Sequence, residues 1–411
     1  MTANPGLLDP QLVQCPYPFY DTLRENSPVV EVPELGFLVT RYDLVKEVVL
    51  NPEVYSSAYS TGFAAVGLSL NEIPESAAEI LAKGDSGTKA LLWADNPAHG
   101  RQRRLVGQAF GPKRVKQLSE SIRAIGTELL DGIVDRGEVE LLTEFAVPLP
   151  LMVIADALGV GRDDLDRFDR WSRAIIKPVG QLVPEDEYIE LAHQYIEFQN
   201  YFAEQIDARK IEPRDDLLSD LVQAESAGEN PLTRSELYDV IVQIIVAGNE
   251  TTANAIVMGM GMLLERPELL AKLRAEPALC APFADEVLRL ESPVQGLPRL
   301  VLSDTELGGV PIPKGSKVIV MFGAANRDAK AFACPADIDL ERKNLKGHLA
   351  FSWGMHLCLG SSLAREEMRI AFELLLTRLA DIRVAEGHEP TYKPSLMLRG
   401  VDELPLTFTK A

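Results

Sequence analysis

From Thr233 to about Leu264 the chain reads as one long helix, apolar on most faces and polar only at its centre. Thr233-Arg-Ser-Glu236 is a capping box, in which the hydroxyl and the carboxylate each satisfy a backbone N–H at the helix start. At 1.5 Å per residue the run is about 45 Å long, enough to cross a bilayer or an entire domain. Gln243, Asn249, Glu250, Thr251, Thr252 and Asn254 decide between the two, because an ionised glutamate at the centre of a bilayer is several kcal/mol unfavourable. The run is therefore predicted to be the buried central helix of a large water-soluble domain.

The remainder of the chain supports such a domain. Hydrophobic residues make 46% of 411 and charged residues 25%, an ordinary globular balance with ample side chain for a core. No Pro/Gly/Ser-rich linker or charge block divides the chain, so residues 1–411 are read as a single domain. Val115, Leu118, Ile122, Ile125, Leu129 and Ile133 recur at helical steps up to Gly137, as do Tyr188, Leu191, Tyr195, Phe198, Phe202 and Ile206. The aromatic stripe in the second set is assigned to the core. Residues 138–160 read as a short extended piece and an apolar helix ending near Gly159. Strand-like alternation is confined to 299–307 and 317–324, with a further hairpin expected over 396–408. The predicted fold class is mainly α with a small antiparallel β portion.

Charge and cysteine usage exclude several functions. A net charge of −20 and no basic stripe argue against nucleic acid and anionic lipid as partners. The start, MTANPGLLDPQLVQ, has neither the basic nor the apolar region of a signal sequence, so no membrane anchor and a cytoplasmic location are expected. Cys15, Cys280, Cys334 and Cys358 lie far apart without a C-x-x-C pair, which suggests neither a disulfide framework nor a zinc site.

Cys358 stands in the run Phe351-Ser-Trp-Gly354-Met-His356-Leu-Cys358-Leu-Gly360. A helical pattern beginning at Cys358 would place its sulfur at a helix N-terminus, where a thiolate is favoured. Glycines 354 and 360 let backbone approach a flat ring and aim N–H groups at the sulfur. These features fit the thiolate ligand of a haem iron. In the long helix, Ala247-Gly248-Asn249-Glu250-Thr251-Thr252 offers a carboxylate beside hydroxyls, able to relay the protons that oxygen reduction consumes. The glycine and threonines there would allow the helix to bulge and leave a groove.

The two segments together resemble the haem-binding loop and the oxygen-side helix of the cytochromes P450, and the resemblance extends over most of the chain. Ser352 and Trp353 depart from it, standing where many members carry glycine and a small residue. The resemblance implies haem b with Cys358 as axial ligand, and Glu250 and Thr251 as the catalytic proton relay. It implies haem contacts from Phe351 and Gly360, and propionate contacts from His99, Arg103, Arg299 and His356. Glu286-Val-Leu-Arg289, with Arg342 as third partner, matches a structural Glu-x-x-Arg cluster of the family. The substrate pocket is expected from 62–93, 176–188, the long helix at Gln243, Val246 and Ala247, the loop at Val294 and Leu297, and the last hairpin at Leu396 and Met397. Gln243 could orient substrate or equally bond a neighbouring loop.

The implied activity is insertion of one oxygen atom from O2 into a C–H bond of a small-to-medium lipophilic molecule. No flavin or iron–sulfur segment accompanies the domain, so electrons are expected from a separate ferredoxin and its NAD(P)H-dependent reductase. Arg101, Arg104, Lys113, Arg114 and Arg365 are expected to form a cationic docking patch for that partner. Alternatives are a peroxide-using or isomerising haem-thiolate enzyme, weakened by the Glu250-Thr251 pair, and a non-catalytic haem-binding sensor, which turnover with a surrogate reductase would separate.

Overall fold

The computed structural model describes residues 9–33, 35–58, 73–85, 89–110, 112–178, 183–225, 228 and 230–411. Contacts divide the chain into two compact units, one of residues 1–55, 119–150 and 250–411, the other of residues 56–118 and 151–249. Helices dominate both. Apart from Ser56, every strand residue among those described belongs to the first unit.

The first unit is built on a five-stranded sheet in the order Val29–Val32, Gly36–Val39, Lys317–Met321, Gly296–Val301, Tyr55–Ser56. Gly296–Val301 and Lys317–Met321 run antiparallel with Leu297 opposite Val320, as the late alternation predicts. The Val29–Val32 and Gly36–Val39 strands are not predicted, since four residues each give too little alternation to read. Gly36–Val39 pairs with Lys317–Met321 in parallel, so the sheet is mixed rather than wholly antiparallel. Its apolar face packs on the Tyr42–Leu50 helix, where Val39, Val45, Val48, Val318, Val320 and Leu349 are completely buried.

The hairpin expected over 396–408 is divided. Pro405–Lys410 pairs with Leu379–Val384 and Glu138–Glu140 in a three-stranded sheet. Residues 391–402 instead form a separate arm, closed by Tyr392 opposite Val401. The physical reason is partner availability: the last strand meets two extended neighbours distant in sequence, which satisfy more backbone groups than its own flank could.

The second unit is held by the aromatic stripe. Phe198 and Phe202 of the Glu185–Ile211 helix have centroids 4.8 Å apart, and Trp171 and Phe168 of the Leu165–Ile176 helix meet them at 5.9 and 5.8 Å. All four rings are completely buried, which is the core role predicted for the stripe.

The Arg234–Leu264 helix runs through both units. Its capping box forms as predicted: the Thr233 N–H donates to Glu236 Oε2 at 2.8 Å, and the Glu236 N–H donates to Thr233 Oγ1 at 3.2 Å. It is long and apolar enough to span a membrane, yet 67% of its most apolar window is buried inside the protein. Residues 247–252 lie within the continuous helix. Gly248 allows close packing, because a Cβ there would lie 2.5 Å from Ile154 Cδ1.

Candidate active site

Cys358 lies in the loop that feeds the Ser361–Arg378 helix. Its N–H donates to the Phe351 carbonyl at 2.9 Å, which closes the loop, and the Leu357 N–H donates to Gly354 O at 3.1 Å across the tight Gly354–His356 turn. With its N–H committed to Phe351, Cys358 precedes the helix rather than opening it: Gly360 is the cap and Ser361 the first helical residue. The sulfur-bearing residue therefore lies just ahead of the first turn, where the helix dipole still favours negative charge.

The loop is braced on two sides. The Arg365 guanidinium sits 4.6 Å from the Phe351 ring centroid and donates to Asp285 Oδ1 at 2.6 Å. Trp353, one of the two departures from the family pattern, packs on the sheet core with Lys46 Nζ 4.6 Å above its ring. Ser352, the other departure, takes a left-handed φ of 59°.

Behind the loop stands the Glu286 cluster. Arg289 Nε and Nη2 donate to the two Glu286 oxygens at 2.7 and 2.8 Å, and Arg342 Nε donates to Oε1 at 3.0 Å. Glu286 and Arg289 are completely buried. Burial raises the Glu286 carboxyl, but the hydrogen bonds and charge of Arg289 outweigh it and hold the group below the usual carboxylate range. The three residues singled out as a structural set are thus brought together. Arg299 is also buried, on the Gly296–Val301 strand, with Nη1 donating to the Pro298 carbonyl at 2.8 Å.

These residues fit haem. Cys358 is half-buried, with its sulfur's loop set before a helix, and a Cβ on Gly360 would meet nothing within 4 Å, which leaves clearance for a flat group. Arg299 and His356 supply donors of the kind that anionic propionates need. Cys280 offers the opposite environment: it is fully buried in the Cys280–Glu291 helix, and burial with the nearby Glu373 charge pushes its thiol up to about 12.

In the long helix Glu250 and Thr251 are half-buried. Lys393 Nζ lies 3.6 Å from Glu250 Oε1. Thr252, the next residue, hydrogen-bonds Glu367 of the Ser361–Arg378 helix, a wholly buried carboxyl that sequence reasoning missed. The sequence holds Glu366 and Glu367 side by side, and nothing in their order tells which one faces inward. Val294 and Leu297 are partly buried against the sheet core. Leu396 and Met397 are buried, and Met397 O accepts the Gln295 N–H at 2.7 Å, so the two predicted lining segments adjoin.

In the second unit, His99 and Arg103 lie one turn apart on the Ala98–Ala109 helix. Burial, reinforced by Arg103, lowers the His99 pKa and keeps its ring neutral. Val246 is buried and Ala247 exposed. Gln243 answers the loop reading: its Oε1 accepts from Leu92 N at 3.1 Å and its Nε2 donates to Ala90 O at 2.9 Å, so the amide spans the backbone of 90–92 at both ends. Of the predicted pocket stretches, residues 62–72, 86–88 and 179–182 lie outside the described residues. The expected cationic patch is largely paired: Arg101 meets Glu236, Arg114 meets Asp220 at 2.8 Å and Asp215 at 3.1 Å, and Arg365 meets Asp285. Three of the five cations expected in that patch thus sit beside carboxylates.

The family model for cytochrome P450 matches residues 163–280 and 281–398. Over 99% of its length the chain is 34% identical to the 6-deoxyerythronolide B hydroxylase of Saccharopolyspora erythraea, covering 99% of that protein. It is 35% identical to the steroid C26-monooxygenase of Mycobacterium tuberculosis over 78% of this chain and 86% of that one. Among solved structures, the cytochrome P450 CYP109Q5 of Chondromyces apiculatus superposes with a TM-score of 0.87 at 35% identity, covering 98% of each chain. Together with the cysteine loop, the buried Glu286 cluster and the polar centre of the long helix, these matches establish that the chain belongs to the cytochrome P450 family, the haem-thiolate monooxygenases.

Proposed function

We propose that this protein inserts one oxygen atom from O2 into a C–H bond of a small-to-medium lipophilic substrate, acting as a single haem domain in the cytoplasm. Electrons come from a separate ferredoxin and its NAD(P)H-dependent reductase. Cys358 is the iron ligand, and the single observation that carries this is its loop, closed by the bond from Cys358 N–H to Phe351 O ahead of a helix N-terminus. Bound haem supplies the oxygen-activating iron. The remaining tasks fall to side chains: Arg299 and His356 neutralise or hydrogen-bond its propionates, and Glu250 and Thr251 hold and pass the protons that the reaction consumes. In the first unit the buried, apolar Leu396 and Met397, with Val294 and Leu297, favour a guest with few polar handles. Two relatives are named for 6-deoxyerythronolide B and for a steroid.

The test is the reduced carbon monoxide spectrum. The parent protein and Cys280→Ala are expected to give the strongly red-shifted Soret band of thiolate ligation, and Cys358→His is expected to lose it. Retention of that band in Cys358→His, or its loss in Cys280→Ala alone, would overturn the assignment.

A further inference from the structure

We propose that Lys393 is a positioning residue for Glu250, and that through it the arm of residues 391–402 sets how the proton relay is aimed. This rests on the relay reading above. The pair is 3.6 Å apart, with the two side chains 33% and 21% exposed. Such a pair adds little to stability. Its effect is directional: a glutamate in mid-helix has several staggered rotamers open to it, and a fixed ammonium selects among them.

The arm is held in register well enough to act as a mount. The Lys393 N–H donates to Gly400 O at 2.9 Å, and the Asp402 N–H donates to Thr391 O at 2.9 Å. Gly400 abuts Asn254, one helical turn beyond Glu250: a Cβ at 400 would come within 2.3 Å of the Asn254 side chain, so any other residue would displace that side chain or the arm. On the far side the Arg399 N–H donates to Pro293 O at 2.8 Å, and Arg399 Nε donates to Glu291 Oε2 at 2.8 Å. The arm cannot slide along the helix without breaking these contacts, and sliding is what would separate Lys393 from Glu250.

The same arm carries Leu396 and Met397, two of the proposed lining residues. Ser395 joins the two functions, since its hydroxyl accepts the Leu398 N–H at 3.1 Å and its own N–H donates to Lys393 O at 2.9 Å. A guest that shifts residues 396–397 therefore acts on the lysine that orients Glu250.

The contact itself is tested without turnover. A carbodiimide, which joins a carboxylate and an amine only when they touch, is expected to link the peptides bearing Glu250 and Lys393 in the intact protein, read by mass spectrometry. No link in the parent overturns the inference. In the haem-loaded enzyme with a surrogate ferredoxin system, Lys393→Gln is expected to lower product formed per reducing equivalent about tenfold, with substrate-induced spin-state titration unchanged and Lys393→Arg restoring most of the loss. Full coupling in Lys393→Gln, or a loss that Lys393→Arg does not restore, overturns it. Glu250→Gln separates the two levels: if that variant stays fully coupled, the relay reading fails. If it is impaired while Lys393→Gln is not, only the positioning role fails.

Discussion

The Thr252 hydroxyl hydrogen-bonds the buried carboxyl of Glu367, tying the polar centre of the long helix to the helix that follows the Cys358 loop. Both elements that carry the proposed chemistry thus meet at one uncharged contact. Burial pushes the Glu367 carboxyl up to about 8, and the hydrogen bond from Thr252 offsets that only in part. Glu367 Oε1 has no hydrogen-bond partner among the described residues.

That relationship predicts a pH dependence of stability. Between the unfolded value of 4.5 and the folded value of about 8, the folded protein keeps a proton that the unfolded chain releases. Unfolding is therefore favoured as pH rises through this window, by about 1.4 kcal/mol per pH unit from this one group. Glu367→Gln keeps a neutral side chain of the same shape and is expected to flatten that slope. Urea unfolding of parent and variant at pH 5 and pH 8 measures the difference, and identical pH dependence in the two would contradict it.

Adjacent threonines are expected to separate by function. Thr251→Ala should leave haem and substrate binding intact while diverting reducing equivalents into peroxide or water, with coupling lower by about tenfold or more. Thr252→Ala should instead strip the hydrogen bond from Glu367, lowering stability by about 1–3 kcal/mol with far less effect on coupling. Product per NAD(P)H consumed and urea midpoints, measured side by side, check the division. The same loss of coupling in both variants would refute it.

Ser352 predicts a gain. Its φ of 59° suits glycine, and its buried hydroxyl makes no hydrogen bond among the described residues, so nothing is forfeited on its removal. Ser352→Gly is expected to stabilise the protein by about 1 kcal/mol, since the left-handed conformation is unfavourable by that order for a side chain. Thermal unfolding of the haem-loaded protein reads this directly. A lower midpoint would show that the serine is held for another reason.

What the sequence determined by itself were the features whose causes are local. The capping box at Thr233, the helical periods, the core role of the Phe198 and Phe202 stripe and the loop around Cys358 all follow from residues close together in the chain. So does the pairing of Glu286 with Arg289, three apart on one helix face. What tertiary structure alone decided depends on neighbours remote in sequence. The Pro405–Lys410 strand took Leu379–Val384 and Glu138–Glu140 as partners, the Val29–Val32 and Gly36–Val39 strands joined a sheet completed some 280 residues later, and Gly248 packs against Ile154. Charge was the least legible quantity. Whether Arg114 or Arg365 is available to a partner, whether Gln243 faces substrate or Ala90, and whether Glu366 or Glu367 keeps its proton each depend on which groups surround that side chain within a few ångströms. Side-chain type and spacing fix which chemistry is possible, but only folding supplies the desolvation and the opposing groups that decide which residue performs it.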